Sequence, residues 1–377
     1  MSATPTFGRY TEIPVDQMTA EQREGYRFLV DGPRGRLPGP YKVWVHNPKL
    51  VHAAAPLGQH FTPSQLSLTE REREIAVIVI TSKWHSAYPT SAHEKRGKEV
   101  GLPDEHMTRL QIAPLHPSLG AEVAGVDLSH SIDAPTRQAL SHALADHLAL
   151  VFRDQTLTPG QYLAAASAFG PPMEQHYSQH NMPDFPLIGL IWHRNGQLPA
   201  EKWHTDHTNR ECPPAATILY GVEIPSAGGG TSVASMRAAY GALSEDERRR
   251  LDLLKTFNSL DSGRSDTRQE DRDKYGKPIE HPMVRTHPVH GSRAVYFHIS
   301  KATHIGGMTP EASHAYMADL LDRMIRPEIV YHHVWRKGDV LVIDDRATMH
   351  RAHGDYDRTQ SRVLWRIIVE GDRPRLV

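Results

Sequence analysis

The chain has 377 residues, of which 39% are hydrophobic, and this length is enough for two domains with their own cores. A formal net charge of -1 and a pI of about 7.2 give no electrostatic reason to expect a nucleic acid or a membrane surface as partner, so we expect a small molecule. The single cysteine, Cys212, excludes an internal disulfide and a Cys-x-x-Cys redox pair. No leader pattern and no apolar run near the roughly 18 residues of a membrane span are found, which predicts a cytoplasmic protein.

The N-terminal part of the chain has the pattern of short helices. Met18 to Val30 predicts one helix, and Asn47-Pro48 opens a second. A third begins at Thr69, where Glu72 completes a capping box. Its apolar run from Ile75 to Ile80 predicts a buried helix.

The first part of the chain also contains an ordered set of short motifs: Gly32-Pro33-Arg34-Gly35, Pro38-Gly39-Pro40, His46-Asn47-Pro48, Thr69 to Ile80, and Ser91-Ala92-His93-Glu94 leading to Val100-Gly101-Leu102-Pro103. With these motifs, residues 1–108 resemble the carboxymuconolactone decarboxylase-like helical domain. The resemblance stops near Met107 and lacks the cysteine pair of the peroxidase-linked members, so we expect a truncated, all-α segment. Such a segment must bury its apolar face against the second domain or a partner subunit, which predicts a homo-oligomer. An acid/base pair of His93 and Glu94 is one alternative role, and capping is another.

After the helical segment the pattern changes to short strands with two helices. Ile112 to Leu128 predicts a hairpin, Ala134 to Leu148 an amphipathic helix, and Leu150 to Gln155 a buried strand. Another helix begins at Thr158-Pro159. These elements alone predict a mixed α/β domain with many short strands.

The stretch Trp203-His204-Thr205-Asp206, taken with His350, has the chemistry of a metal site. His-x-Asp places an imidazole and a carboxylate on the same side of an extended strand, because residues two apart share a face. A second imidazole would complete the facial triad of non-haem Fe(II) oxygenases, which leaves three metal positions open. The tripeptide alone is weak evidence, since chance pairs are expected with 25 His and 44 acidic residues.

The surroundings of the tripeptide strengthen this hypothesis. It is followed by the apolar run Ala215 to Tyr220, by Gly228-Gly229-Gly230-Thr231, by Asp344-Asp345-Arg346-Ala347-Thr348-Met349-His350, and by Arg362-Val363-Leu364-Trp365-Arg366. This series, over about residues 112–377, resembles the Fe(II)- and 2-oxoglutarate-dependent dioxygenases of the taurine and 2,4-dichlorophenoxyacetate dioxygenase family. The resemblance implies a double-stranded β-helix, or jelly roll, with His204, Asp206 and His350 as metal ligands and catalytic residues.

Two arginines near the C-terminus are candidates for binding carboxylates. A guanidinium fork pairs a buried carboxylate bidentately, and by resemblance Arg362 holds the distal carboxylate of 2-oxoglutarate, with Thr231 donating its hydroxyl to the same group. A surface cation is the alternative for Arg362. Arg366 would share the face of Arg362 on a strand, and the resemblance implies that it meets the anionic head group of the substrate. An ion pair with Asp372 is its alternative role.

The substrate is less defined by the sequence than the metal site is. By resemblance, residues 173–180 form one wall of the substrate pocket and residues 194–202 another, which makes His176 and Tyr177 candidate substrate contacts. Surface-loop positions are the alternative for both. Pro199-Ala200-Glu201-Lys202 departs from the taurine-specific pattern, which argues against taurine itself.

The reaction that the resemblance implies consumes 2-oxoglutarate and O2 and yields succinate and CO2. It is coupled to hydroxylation of a small organic anion, either a sulfonate, a phenoxy acid, an alkyl sulfate or a carboxylate. The product would break down where the hydroxylated carbon bears a heteroatom. Two alternatives stay open, a metal-dependent hydrolase with the same ligands and an inactive fused scaffold or binding protein.

Two further stretches are predicted to be structural. His281, His287, His290 and His298 lack the spacing of a zinc site, and Thr286 to Gly291 predicts a strand-turn-strand element. The mixed charges of Asp261 to Lys277 predict a surface loop.

Overall fold

The computed structural model describes residues 6–7, 10–11, 13–32, 39–60, 67–83, 93, 95–102, 110–192, 199–260 and 268–377. The chain divides into two compact units, residues 1–108 and 109–377. None of the helices in these ranges is both long enough and apolar enough to cross a membrane.

The first unit is mainly helical. Its elements are β1 (Thr6–Phe7), β2 (Tyr10–Thr11), α1 (Ala20–Val30), α2 (Gly39–Trp44), α3 (Pro48–His60) and α4 (Glu70–Lys83). The three predicted helices are confirmed, and α1 begins with a capping box between Thr19 and Gln22. The prediction of an all-α segment is not confirmed, because β1 and β2 pair as a short antiparallel hairpin.

Helix α4 differs from its prediction in burial. Its capping box is present, since Thr69 N donates to Glu72 Oε2 at 2.8 Å and Glu72 N donates to Thr69 Oγ1 at 3.2 Å. The prediction of a buried helix is wrong for this unit, because Ile75, Val79 and Ile80 are 44%, 60% and 58% exposed. The core cluster of this unit is instead made by Met18, Leu29, Tyr41, Val45, Val51 and Ala55.

One ionic contact of the first unit bears on the predicted acid/base pair. His93 Nδ1 lies 2.6 Å from Oε2 of Glu74, a fully buried residue of α4. Glu94 lies outside the described residues, as do residues 33–38 and 91–92 of the motifs quoted above.

The second unit is mixed α/β and is built around a nine-stranded sheet. Its strands are β3 (Gln111–Pro114), β4 (Ala121–Ala124), β5 (Ala149–Phe152), β6 (Pro172–Met173), β7 (Asn181–Met182), β8 (Phe185–Trp192), β9 (Ala216–Glu223), β10 (Thr231–Ser235), β11 (Lys255–Asn258), β12 (Ile279–Pro282), β13 (Val284–Thr286), β14 (Arg293–Val295), β15 (Ala302–Ile305), β16 (Val330–His333), β17 (Val340–Asp344), β18 (Thr348–Ala352) and β19 (Val363–Val369). Its helices are α5 (Ala134–His147), α6 (Pro159–Ala166), α7 (Met236–Ala242), α8 (Glu245–Leu251), α9 (Gln269–Tyr275) and α10 (Pro310–Met324). The predicted hairpin, helices and strand-turn-strand element are confirmed, but residues 269–275 of the predicted charged loop are helical and residues 261–267 lie outside the description.

The large sheet has the strand order β3-β4-β5-β17-β9-β19-β8-β7, with β6 added to β19. All of its pairs are antiparallel except β4 with β5. Strands β16, β10 and β18 form a separate three-stranded sheet, and the remaining strands form the sheets β12-β11-β15 and β13-β14.

Both faces of the large sheet are buried. On β17, Val340 and Val342 pack with Leu140 and Leu144 of α5, whereas Leu341 and Ile343 belong to a second core cluster. Alternate residues of a strand point to opposite faces, which explains why one strand serves both clusters. The second cluster also contains Val233 of β10 and Met349 of β18, so it lies between the large sheet and the three-stranded sheet.

Candidate active site

His204, Asp206 and His350 converge in the second unit. Their possible ligand atoms all lie within 4.8 Å of one another, and all three residues are nine-tenths buried or nearly so. His350 lies on β18, and His204 is held against it by a single antiparallel bridge. The prediction that His204 and Asp206 share a regular strand is wrong, because the bridge stops at His204 and His207 adopts a left-handed conformation with φ of 48°.

The hydrogen bonds around His204 leave one ring nitrogen available. Its Nδ1 lies 2.7 Å from the carbonyl oxygen of Lys202, which can only accept, so Nδ1 carries the hydrogen. Nε2 is therefore the lone-pair atom, and it lies 3.9 Å from Asp206 Oδ1. Burial lowers the pKa of His204, which favours the neutral imidazole that a metal requires.

Asp206 is the negative group of the cluster. Burial opposes its ionisation, but the charge of Arg366 and the nearby imidazoles hold the pKa of Asp206 well below its usual range. Its Oδ2 is 2.9 Å from the hydroxyl of Thr217 on β9. This carboxylate is thus ionised and fixed in place.

The third ligand candidate, His350, is neutral as well. Burial lowers its pKa to about 3. Its Nδ1 is buried and has no hydrogen-bond partner in the described structure, and Asp345 Oδ1 lies 3.7 Å away. Two neutral imidazoles and one carboxylate are a donor set that fits a divalent metal ion with open positions.

Arg362 is a buried cation with spare donors. It is 2% exposed, its Nε donates to the carbonyl of Gly229 at 2.8 Å, and its Nη2 has no partner in the described part of the chain. Burial lowers its pKa to about 10, so it stays charged at neutral pH. A Cβ atom on Gly229 would lie 3.0 Å from Arg362 Cδ, which explains a glycine at this point of close approach.

Thr231 lies on the same side of the three-stranded sheet as His350. Val233 pairs with His350 across β10 and β18, and Thr231 is two residues from Val233, so both side chains share one face. The Thr231 hydroxyl accepts a hydrogen bond from Trp335 Nε1 at 3.0 Å. Its own hydrogen is therefore available to donate to an anion.

Arg366 lies beside the metal cluster. Its Nη1 is 3.7 Å from Asp206 Oδ2, and its Nε donates to Gln175 Oε1 at 2.7 Å. Its cross-strand neighbour is Gly189, whose missing side chain leaves the room that Gln175 occupies. The alternative ion pair of Arg366 with Asp372 is not found, since Asp372 pairs with Arg285.

His176 lies in a buried cluster of imidazoles. Arg210 Nε donates to His176 Nε2 at 3.2 Å, so the hydrogen of this ring is on Nδ1, which lies 2.7 Å from His207 Nδ1. Burial, Lys301 and Arg210 lower the pKa of His176 to about 2. Both nitrogens of His176 thus contact protein groups. In the His176–His207 pair, His207 Nε2 has no hydrogen-bond partner among the described residues.

Tyr177, the other predicted substrate contact, is half-buried with a left-handed φ of 63°, and Lys301 Nζ lies 5.8 Å from its ring centroid. Residues 194–198 of the second predicted wall lie outside the described residues.

Several neighbours of the cluster were not predicted. The ring of His298 lies 5.4 Å from that of His204, and Gln175, Thr217, Asp345 and Trp335 each contact a predicted residue. Asp345 and Thr217 stand inside the quoted motifs, but no spacing rule singles them out. Their roles depend on strands that meet only in the folded chain.

The second unit is mixed α/β and brings two imidazoles and a carboxylate to one buried point, which is the ligand set of mononuclear non-haem Fe(II) oxygenases. Residues 111–368 match the family described as Taurine catabolism dioxygenase TauD, TfdA family, and the chain belongs to this family. It is accordingly an Fe(II)- and 2-oxoglutarate-dependent dioxygenase that uses O2. The first unit lies outside the match, and its resemblance to the carboxymuconolactone decarboxylase-like domain stays a prediction.

Curated relatives agree with this assignment. The chain is 32% identical to the (S)-phenoxypropionate/alpha-ketoglutarate-dioxygenase of Sphingobium herbicidovorans, with 69% of this chain and 95% of the relative covered. It is 33% identical to the alpha-ketoglutarate-dependent sulfate ester dioxygenase of Pseudomonas putida, with 71% and 92% covered.

Solved structures are also similar. A taurine dioxygenase from Burkholderia xenovorans superposes with a TM-score of 0.62 at 33% identity, over 70% of this chain and 90% of that one. The structure of AAD-2 in complex with Mn(II) and N-oxalylglycine superposes with a TM-score of 0.60 at 28% identity, over 71% of this chain and all of that one.

Proposed function

We propose that this dioxygenase hydroxylates a small organic anion, and that His204, Asp206 and His350 hold its Fe(II). The observation that carries the substrate class is Arg366, whose guanidinium lies 3.7 Å from the Asp206 carboxylate. A fixed cation at this distance from a metal ligand is suited to hold the head group of an anionic substrate beside the metal. Sulfonates, phenoxy acids, alkyl sulfates and carboxylates are the candidates, in line with relatives named for phenoxypropionate and sulfate esters.

Arg362 and Thr231 are proposed to bind the distal carboxylate of 2-oxoglutarate. This is supported by Nη2 of the buried Arg362 and by the hydrogen of the Thr231 hydroxyl, neither of which has a partner among the residues that the structure describes. A buried guanidinium with an unsatisfied donor is costly, and a carboxylate ligand would remove that cost. Because Thr231 and His350 lie on the same face of the β10–β18 pair, a 2-oxoglutarate molecule held at Thr231 would extend toward the metal.

Bound Fe(II) supplies the activation of O2 that is coupled to decarboxylation of 2-oxoglutarate. One oxygen atom enters succinate and the other enters the substrate, so R–H, 2-oxoglutarate and O2 give R–OH, succinate and CO2. The protein residues orient the two organic anions and limit access of water. His176 is proposed to contribute to the substrate wall through His207, and Tyr177 through its half-buried ring.

The fold proposed for the second unit is the double-stranded β-helix. It is supported by the core cluster between the large sheet and the β16-β10-β18 sheet. In this arrangement β18 and β10 contribute His350 and Thr231 from the smaller sheet, while β19 contributes Arg366 from the larger one.

The first unit is proposed to be an association module that joins copies of this chain. The exposed side chains of Ile75, Val79 and Ile80 on α4 support this proposal. Light scattering should detect an oligomer for the full chain and a smaller species for Val79→Lys. A monomer in both cases would remove the proposal.

An anaerobic titration tests the proposed reaction. Fe(II) and 2-oxoglutarate should together give the weak visible charge-transfer band of a chelated 2-oxo acid, and a correct substrate from a panel of sulfonates, phenoxy acids and alkyl sulfates should perturb it. Succinate should then form in step with substrate loss. A folded protein that gives neither the band nor succinate would support the alternatives of a metal hydrolase or an inactive scaffold.

A further inference from the structure

Asp345 is a buried carboxyl group that follows β17 and lies among the ligand candidates. It is 1% exposed, and its Oδ2 lies 2.6 Å from the hydroxyl of Thr217. Burial of a carboxyl group without full hydrogen bonding is costly, so its position requires an explanation.

Thr217 connects this carboxyl group to Asp206. The Thr217 hydroxyl is 2.6 Å from Asp345 Oδ2 and 2.9 Å from Asp206 Oδ2, but a hydroxyl carries a single hydrogen. Two bare carboxylates cannot both accept that hydrogen. Both contacts are hydrogen bonds when the Thr217 hydroxyl donates to Asp206 Oδ2 and accepts a hydrogen carried by Asp345 Oδ2.

The other oxygen of Asp345 faces His350. Asp345 Oδ1 and His350 Nδ1 are 3.7 Å apart, both are buried, and neither has a hydrogen-bond partner among the described residues. A shift of less than about 1 Å would bring them within hydrogen-bond distance. An Nδ1–H directed at this oxygen leaves the Nε2 lone pair of His350 for a metal.

The two histidines therefore differ in how they are supported. The Nδ1 atom of His204 is hydrogen-bonded to the Lys202 carbonyl oxygen at 2.7 Å. The group that faces the Nδ1 atom of His350 is the Asp345 carboxyl group. The backbone of Asp345 also contacts the first ligand segment, because the Thr205 side chain donates from Oγ1 to the Asp345 carbonyl oxygen at 2.7 Å. One residue thus contacts the segments that carry all three ligands.

We propose that Asp345 is a positioning residue for the metal ligands: it orients the His350 imidazole through Oδ1 and the Asp206 carboxylate through Thr217. The inference rests on the proposed metal site. Hydrogen-bond partners behind metal ligands fix ring orientation, and their loss weakens metal binding by about 10- to 100-fold.

The test is the affinity for Mn(II), measured by calorimetry on the metal-free protein. Asp345→Ala removes both contacts and should weaken binding by about 10- to 100-fold. Asp345→Asn should bind Mn(II) like the unaltered protein, because its amide has the same shape and offers an acceptor to His350 and a donor to Thr217. Thr217→Val should weaken binding less than Asp345→Ala, since it breaks only the link to Asp206.

A matched control separates positioning from general stability. Asp339 is another fully buried carboxyl group of the same unit, paired with Arg153 at 2.6 Å and His333 at 3.2 Å. Asp339→Asn should lower the unfolding temperature without changing Mn(II) affinity. The Co(II)-loaded protein adds a readout of ligand geometry, and its visible d–d bands should change in Asp345→Ala and persist in Asp345→Asn.

The outcomes are distinguishable. If the unaltered protein does not bind Mn(II), the proposed metal site fails. The positioning role is overturned if the unaltered protein binds Mn(II) and both Asp345→Ala and Thr217→Val bind it as tightly as the unaltered protein does. It is also overturned if Asp345→Asn weakens Mn(II) binding as strongly as Asp345→Ala. Should Asp345→Ala not fold, Asp345→Asn and Thr217→Val decide the question by themselves.

Discussion

His204 and His350 exchange two backbone hydrogen bonds, from His204 N to His350 O at 3.1 Å and from His350 N to His204 O at 2.7 Å. Residues paired in this way lie about 5.5 Å apart at Cα and present their side chains to the same face. The ring centroids are accordingly 4.4 Å apart. The backbone pairing therefore brings two proposed metal ligands from distant parts of the chain together.

Removal of the Arg362 guanidinium should impair the use of 2-oxoglutarate selectively. Loss of one partner of a buried charged pair costs at least about 2 kcal/mol, so Arg362→Ala should raise the KM for 2-oxoglutarate by about 30-fold or more. Mn(II) affinity should stay close to normal, because Arg362 is not a ligand. Initial-rate kinetics and calorimetry measure the two effects, and an equal loss of both would show that Arg362 is structural.

The Thr231 hydroxyl and its indole partner can be tested as a pair. Thr231→Val removes a hydrogen bond to a charged group and should raise the KM for 2-oxoglutarate by about tenfold. Trp335→Phe keeps the hydroxyl and removes only the donor that orients it, so its effect should be smaller. Thr231→Ser is the matched control. A larger effect of Trp335→Phe than of Thr231→Val would contradict the assignment.

Replacement of Arg366 should separate consumption of 2-oxoglutarate from substrate oxidation. Without the cation beside Asp206, an anionic substrate is held less firmly, and Arg366→Ala should form succinate in excess of hydroxylated product. Arg366→Lys, which keeps a positive charge, should retain more of the coupling. The ratio of succinate to product measures this, and an unchanged ratio in Arg366→Ala would exclude Arg366 from substrate binding.

Acid should destabilise the metal-free protein through its buried histidines. Burial lowers the pKa of His176 to about 2 and of His350 to about 3, while an unfolded histidine titrates near about 6.5. Below that pH the unfolded chain binds more protons than the folded chain. The free energy of unfolding therefore decreases as the pH is lowered, by up to roughly 1.4 kcal/mol per pH unit for each such histidine. Thermal melts from pH 7.5 to 5.5 should show this fall.

The contribution of His176 to this pH dependence of stability can be measured with one substitution. His176→Gln removes one of the titrating groups, so its unfolding temperature should depend less steeply on pH than that of the unaltered protein, whatever its absolute stability. A melting temperature that is flat between the two pH values in the unaltered protein would contradict the buried neutral state of these rings.

Features that depend on neighbours in the chain were predicted well from the sequence. The capping box at Thr69 joins residues three positions apart, so the local sequence contains both partners. The core face of α5 followed from the helical spacing of Leu140 and Leu144 in the same way.

Features that depend on tertiary packing were not predicted. The exposure of Ile75 on α4 is set by which helices pack against it, and the position of His298 beside His204 requires chain segments that are far apart in sequence. His176 was predicted as a substrate contact, but only the folded chain shows that its nitrogens face Arg210 and His207. Motif spacing cannot indicate such a cluster.

The β10–β18 ladder limits how the gene for this protein can change. Thr231 and His350 share a face only because Val233 is in register with His350. Inserting or deleting one codon in either strand would shift that register and turn the inward side chains outward. Point substitutions at the other positions of these strands preserve the alternation, so descendants of this sequence can vary those positions one by one while the length of the strands stays fixed.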